Sequence, residues 1–207
     1  MSSTATNRPS LLLSVLVGAA AALLIGEAVA DDSKKYEATF TAGGELIRPA
    51  GWREWIFVGS PLTPNSLNGG EASFPEFHSV YIDPESWAHW KKTGTFREGT
   101  MLAKELTLVG ETAATSGIGF FNGELQGFEI AHKDSKRYSE ETDGWAYYSF
   151  GHQPEPYANT TAAMPTAACA ACHTAAAADD MVFTQYYPIL GAAKGAGDKG
   201  AGVGGAQ

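Results

Sequence analysis

Two cysteines and a histidine near the end of the chain have types and a spacing suited to cofactor chemistry. The sequence reads Cys169-Ala170-Ala171-Cys172-His173, and the chain contains no other cysteine. Thiols three positions apart lie on one side of a helical turn, so both can add to the two vinyl groups of one porphyrin. The next residue, a histidine, can then bind the iron. The pattern predicts a c-type haem attached through Cys169 and Cys172, with His173 as the iron ligand.

The same five residues allow other interpretations. They could be a chance match, a redox dithiol or half of a zinc site. A redox dithiol does not need the histidine, and a zinc site needs more ligands than this segment supplies. Covalent haem is therefore the favoured interpretation.

A lysine lies among leucines on a predicted strand, residues 100–109. Leu102, Leu106 and Leu108 share one face of the period-2 pattern, and Lys104 lies on that face with them. The side chain could simply extend past the leucines to water. Alternatively, it could be held in a pocket, where desolvation would favour a neutral, nucleophilic amine.

A glutamate has a similar position on the next predicted strand, residues 117–131. Glu129 is the charged residue on a face that otherwise carries small and apolar side chains, namely Phe121, Gly123, Leu125, Gly127 and Ala131. A buried carboxylate would have a raised pKa and could transfer protons. The alternative is a structural ion pair, for which Lys104 is a candidate partner. The small neighbours would also leave room for a flat ligand.

A second axial ligand would make the iron suited to electron transfer rather than to binding or converting a small molecule. Met164 and Met181 are close to His173 in sequence and cannot easily reach the opposite side of a ring. Met101 has the reach but lies on the face opposite Lys104. The other candidates are His78, His89, His132 and His152. A lone histidine is more often structural, so an open position on the iron is favoured.

The elements that must position these residues are mainly strands. Beyond the two already named, strands are predicted over residues 76–82 and 145–150, and residues 60–75 form a long loop of the kind that often borders a site. Asp83 and Pro84 predict a helix over residues 84–92 that ends at Gly94. A further helix surrounds the cysteines, and a short one follows Asp179 and Asp180 until Pro188 ends it. The pattern indicates an α+β fold.

Length and composition set the remaining limits. The chain has 207 residues, of which 44% are hydrophobic, and a formal net charge of −9. These values suit one domain, predicted over residues 31–190, and an acidic chain is a poor partner for nucleic acid. Residues 1–30 contain an apolar run followed by Ala28-Val29-Ala30, which predicts a cleaved signal peptide and export to the periplasm with no membrane span left. The alternative is an uncleaved membrane anchor, for which the apolar run is short. Residues 191–207 are predicted to be a disordered tail.

Several segments together resemble the cytochrome P460 family. They are residues 75–94, 96–100, 104–106, 133–137 and 181–188, and the likeness runs in order from about residue 52 to residue 190. The resemblance implies a mostly antiparallel sheet with flanking helices, and a homodimer. It also implies covalent haem on Cys169 and Cys172, with His173 as proximal ligand.

The same resemblance implies roles for the two charged strand residues. Lys104 matches a lysine that forms a third covalent link, to the porphyrin edge, and Glu129 matches a distal carboxylate that accepts protons. The implied reaction is oxidation of hydroxylamine, with nitric oxide entering the chemistry, to nitrous oxide or more oxidised products. A small periplasmic cytochrome c is the expected electron acceptor. Arg53 and Arg97 could pair with haem propionates or form surface salt bridges.

Three other classes of haem protein are alternatives. Cytochromes c′-beta share the fold but bind nitric oxide or carbon monoxide in an apolar pocket without the lysine link, and Phe74, Phe77, Phe120 and Phe121 could line such a pocket. Glu129 argues against that group. An electron-transfer cytochrome c would need a sixth ligand, and a four-helix cytochrome c′ would need four long amphipathic helices in place of the alternating strands.

Overall fold

The core of the molecule is a five-stranded antiparallel sheet with helices packed on one face. The computed structural model describes Met1 and residues 36–197. Short 3-10 turns connect several of the elements, and the central sheet has the strand order β2-β3-β4-β7-β8. The strands and helices are β1 (Leu46–Ile47), β2 (Ile56–Gly59), β3 (Phe77–Ile82), α1 (Pro84–Thr93), β4 (Met101–Val109), β5 (Ala113–Ala114), β6 (Gly117–Ile118), β7 (Asn122–Lys133), β8 (Trp145–Ser149), β9 (Thr160–Thr161), α2 (Thr166–Ala176) and α3 (Pro188–Ala193).

Alternation along the strands divides the core into two layers. On the face that carries Lys104, buried apolar side chains pack against the helices. This helix-side layer includes Val80, Ile82, Trp90, Leu102, Trp145, Ala170 and Leu190. The opposite layer includes Leu46, Trp52, Met101, Ala103, Phe128, Ile130, Tyr148 and Tyr157. The predicted α+β fold with a mostly antiparallel sheet is confirmed.

Helix α1 begins and ends as the sequence predicts. Asp83 is the N-cap, and its Oδ1 accepts a hydrogen bond from the backbone N–H of Ser86 at 2.8 Å. Pro84 occupies the first turn, where its missing N–H costs nothing. Gly94 ends the helix in the left-handed region at φ 73°, a conformation that glycine adopts without a steric penalty.

Two elements of the sheet differ from the sequence-based prediction. Residues 117–131 do not form one strand: Gly117–Ile118 pairs with Ala113–Ala114 in a small hairpin, and β7 begins at Asn122. Gly117 adopts a φ of 128°, which favours the turn. A bulge also interrupts β7, because Leu125 pairs with Thr107 whereas Gly127 pairs with Leu106. Leu125 therefore does not share the face of Glu129, as the simple alternation had predicted.

The C-terminal segment also differs from expectation. The short helix predicted after Asp179 is instead a bridge between Asp179 and Val182, followed by the 3-10 turn Thr184–Tyr186. Pro188 starts a helix rather than ending one, since its fixed φ suits a first turn.

Helix α3 extends past residue 190, the predicted end of the domain, and disorder over residues 191–207 stays a prediction. Ala193 is buried, and the indole Nε1 of Trp90 donates a hydrogen bond to the carbonyl of Leu190 at 2.9 Å. Residues 198–207 of that predicted tail lie outside the described residues.

The predicted signal peptide, residues 1–30, lies outside the described residues except for Met1. Within the part of the chain that the structure describes, no helix is long and apolar enough to cross a membrane. Export to the periplasm therefore stays a prediction from the sequence.

Candidate functional site

Lys104 and Glu129 are direct neighbours on the helix-side face of the sheet. They are cross-strand partners in the β4–β7 register, and Lys104 Nζ lies 2.6 Å from Glu129 Oε2. Their side chains are 26% and 24% exposed, so the pair is partly shielded from solvent. The structure thus brings together the two charged residues singled out in the sequence, and it shows the ion pair that was one of the two interpretations of Glu129.

Helix α2 presents the three residues of the cysteine–histidine motif on one side. Cys169 and Cys172 are one turn apart, and His173 is four positions after Cys169, so all three fall on neighbouring positions of the helix surface. Both cysteines are free thiols; Cys169 is half-buried and Cys172 is exposed. Only Ala170 of this helix is buried, so the motif side has room beside it for a large group.

His173 is held in one orientation by its surroundings. Its Nδ1 lies 2.6 Å from the backbone carbonyl of Met181, and a carbonyl can only accept, so Nδ1 carries the proton. The ring lies 4.4 Å from the ring of Tyr147 and 4.5 Å from that of Phe183, measured between centroids. Nε2 therefore keeps its lone pair, which is the form of imidazole that binds iron.

The motif and the Lys104–Glu129 pair influence each other electrostatically. Burial lowers the pKa of His173, and the charge of Lys104 lowers it further, whereas the Met181 carbonyl and Glu129 oppose the shift. Burial also raises the pKa of the Cys169 thiol, and the negative charge of Glu129 adds to that increase. The charges of Lys104 and Glu129 act on Cys169 and His173 because α2 lies over the sheet face that carries the charged pair. The donor set therefore fits a haem: two thiols, a neutral imidazole and a polar pair on the facing surface.

A histidine beside this pair has a buried nitrogen with no partner. His78 lies on β3 opposite Leu106, which makes it a diagonal neighbour of Lys104. Its Nε2 is buried and accepts or donates no hydrogen bond among the described residues. The Phe74 ring lies 5.9 Å from the His78 ring and 5.2 Å from Lys104 Nζ, so the predicted long loop does border the site.

Two further polar residues near His78 were missed or misjudged from the sequence. Glu76 was not singled out, and His152 was considered only as an iron ligand. The two are paired, with His152 Nε2 2.8 Å from Glu76 Oε1. The available signal was that two titratable residues, Glu76 and His78, lie together at the start of β3, the strand that pairs with the strand of Lys104.

The remaining candidate ligands lie elsewhere. Met101 is buried in the opposite layer, as its predicted face required. His132 is also in that layer, where its Nδ1 contacts the Tyr138 hydroxyl at 2.8 Å. His89 lies on α1 and contacts Thr95, which follows the helix. Arg53 pairs with Glu105 and Glu155, and Arg97 pairs with Asp83 and Glu85, so both arginines form salt bridges within the protein.

Comparison with known families agrees with this geometry. A family model described as Cytochrome P460 matches residues 49–184, which is more than half of the chain. The chain belongs to the cytochrome P460 family. The match includes β2 to β8, all of α2 and the turn after it that carries Met181, so it covers every residue of the site named above.

Membership of the cytochrome P460 family makes the chain a c-type haem protein, and the family resemblance found in the sequence is confirmed. A search among curated proteins gave no match.

Proposed function

We propose that this cytochrome P460 family protein is a periplasmic enzyme that oxidises hydroxylamine, with nitric oxide entering the chemistry, to nitrous oxide or other nitrogen oxides. The observation that carries the proposal is the Lys104–Glu129 pair, which lies on the sheet face covered by the helix of the cysteine–histidine motif. A carboxylate at that place gives the site a proton acceptor, which an apolar gas-binding pocket does not have.

Four residues would hold the haem. Cys169 and Cys172 would form the thioether links, and Nε2 of His173 would bind the iron. Lys104 would form a third link through its amine, in which a C–N bond replaces one N–H bond of the lysine and one C–H bond of the porphyrin edge, so that a two-electron oxidant must act while the link forms. Bound haem supplies an electron sink and a place for hydroxylamine to bind.

Glu129 would take the protons that hydroxylamine loses as it loses electrons. Its carboxylate is only partly exposed, so a proton accepted there is shielded from the bulk solvent. Tyr147, Phe183 and the Met181 carbonyl would keep the His173 ring fixed. We propose a small periplasmic cytochrome c as the electron acceptor and a homodimer as the assembly.

A gas-binding protein of the cytochrome c′-beta type is the second candidate. The observation that favours it is Phe74, whose ring lies 5.2 Å from Lys104 Nζ and gives the site an apolar wall. An electron-transfer cytochrome is the third candidate, and it requires a sixth ligand, for which His78, the diagonal neighbour of Lys104, is the candidate.

Hydroxylamine turnover tests the proposal directly. The haem-loaded protein is mixed with hydroxylamine and a one-electron acceptor, and we expect acceptor reduction together with nitrous oxide, measured by gas chromatography. Nitric oxide binding without any hydroxylamine consumption would establish the gas-binding alternative instead. Low-spin, six-coordinate iron that does not bind added ligands would establish the electron carrier.

The third covalent link is tested by mass spectrometry. We expect a protease digest of the wild type to contain the haem peptide joined to a peptide that includes Lys104, because the amine is the nucleophile that the site offers. Lys104→Ala should keep haem on the two cysteines, lose the joined peptide and shift the main absorption band. Lys92→Ala, at an exposed position of α1, is the control and should behave as the wild type. A wild-type digest with haem on the cysteine peptide alone would refute the link.

A further inference from the structure

Hydroxylamine oxidation releases protons that must leave the site. Each hydroxylamine carried to the oxidation level of nitrous oxide loses two electrons and two protons. The electrons pass to the cytochrome acceptor, whereas Glu129 can hold only one proton and must be emptied between steps. The residues beside Glu129 therefore need a way to move protons to solvent.

His78 is the first group suited to this task. It lies diagonally from Lys104, on the same face of the sheet as the Lys104–Glu129 pair. Its Nε2 is buried without a hydrogen-bond partner among the described residues, although a buried polar atom normally has one. Burial lowers the pKa of His78 to about 4, and Lys104 acts in the same direction, so the imidazole is neutral at neutral pH. A neutral imidazole can accept a proton at one nitrogen and release one from the other.

Glu76 and His152 connect this interior position to the surface. Glu76 is 4% exposed, and its Oε2 is buried without a partner in the described part of the chain. Its Oε1 lies 2.8 Å from His152 Nε2, and the His152 side chain is 42% exposed. Glu76 lies just before β3, two positions from His78, and its charge acts on the ionisation of His78. Titratable groups thus follow one another from the buried histidine to solvent.

Gly127 keeps this surface histidine close to the site. A Cβ at position 127 would lie 3.0 Å from the Gly151 carbonyl and 3.4 Å from the Cα of His152. The segment that carries His152 therefore packs directly on β7, two positions from Glu129. The charged groups that act on the ionisation of His78 are Lys104, Glu129, Glu76 and His152, which places all four around it.

We propose that a proton path runs from Glu129 through His78 and Glu76 to His152 and the solvent. A proton on the Glu129 carboxyl passes to the His78 imidazole, which releases a proton to the Glu76 carboxylate. Glu76 passes it to His152, which releases it to water, and both carboxylates are ionised again. Each imidazole has then exchanged the nitrogen that carries its proton, and it returns to the starting tautomer before the next proton arrives. His78 acts through Glu129 and not on hydroxylamine itself. The path rests on the proposed function, because it carries the protons which that reaction releases.

His78→Gln tests the path, with His89→Gln as the matched control because His89 lies on α1, where it contacts Thr95 and not the residues of the path. We expect kcat of His78→Gln to fall about 10-fold or more, at the lower end of what a positioned proton-transfer group contributes. Added imidazole should restore part of the rate, and the solvent deuterium isotope effect should increase. Proton release, followed with an indicator dye in a single turnover, should lag behind acceptor reduction. The absorption spectrum of the resting protein should not change.

His152→Gln is the second variant, since a half-exposed residue can be replaced without disturbing the core. It should show the same lag and the same rescue even if His78→Gln does not load haem. A wild type that turns over hydroxylamine while both variants match His89→Gln would refute the path and leave the proposed function intact. A wild type that does not consume hydroxylamine would refute the proposed function, and the path with it.

Discussion

Replacing Glu129 by glutamine is expected to lower kcat for hydroxylamine on the order of 100-fold or more while haem stays bound. The amide keeps the size of the side chain and one oxygen for Lys104, but it cannot accept a proton at neutral pH. The loss should appear in kcat and kcat/KM together, because proton acceptance occurs in the chemical step. Steady-state acceptor reduction measures both constants, and the absorption spectrum checks the haem.

Glu124→Gln is the matched control for this experiment. Glu124 lies on the same strand, β7, but at its exposed end. Both substitutions remove one negative charge from the strand, so a general electrostatic effect on the protein would slow both variants. A low kcat in Glu129→Gln, with a normal kcat in Glu124→Gln, would show that the effect belongs to position 129 and not to the lost charge in general. Full activity in Glu129→Gln would refute its role as proton acceptor.

Replacing Asp83 by alanine is expected to destabilise the protein by about 3–5 kcal/mol, because two buried backbone N–H groups would lose a charged acceptor. Asp83 is fully buried, and its two oxygens accept hydrogen bonds from the backbone of Ser86 at 2.8 Å and of Met101 at 2.9 Å. It also pairs with Arg97 at 3.4 Å. The substitution would leave two buried backbone donors without their acceptor and would remove the cap of α1, while Arg97 would keep only its second partner, Glu85. Urea unfolding followed by circular dichroism measures the change.

Glu85→Ala is the control for Asp83, because Glu85 pairs with the same arginine at 3.0 Å but is about one-third exposed. Its loss should cost below about 1 kcal/mol, the usual range for surface ion pairs. Equal destabilisation by the two substitutions would show that the Arg97 charge, rather than the buried backbone donors, determines the effect.

The sequence predicted those parts of the fold that depend on local patterns. The strand of Lys104 and the helix after Asp83 were placed to within a residue or two, since alternation and capping are properties of neighbouring residues. The sequence suggested that Lys104 and Glu129 are neighbours because each is a charged residue on an otherwise apolar strand face. Their actual pairing depends on the β4–β7 register, which a bulge near residue 126 adjusts.

The rest depends on contacts between distant parts of the chain. Glu76 and His152 are far apart in sequence, so no local pattern indicates their hydrogen bond. Helix α3 was missed because a glycine- and alanine-rich segment has little helical signal of its own. It forms where Leu190 and Ala193 pack into the core and where Lys194 reaches Asp179. Tertiary packing decided the structure there.

The turn at Asp180 and Met181 has a consequence for how His173, the proposed haem ligand, is held. Asp180 and Met181 both have a positive φ, 43° and 61°, which costs a residue other than glycine about 1 kcal/mol or more. This turn aims the Met181 carbonyl at His173. The protein therefore accepts a conformational cost that holds the His173 imidazole in one orientation. The hydrogen bond that raises the electron density of this ring comes from a main-chain carbonyl, so side-chain substitutions can alter it only indirectly.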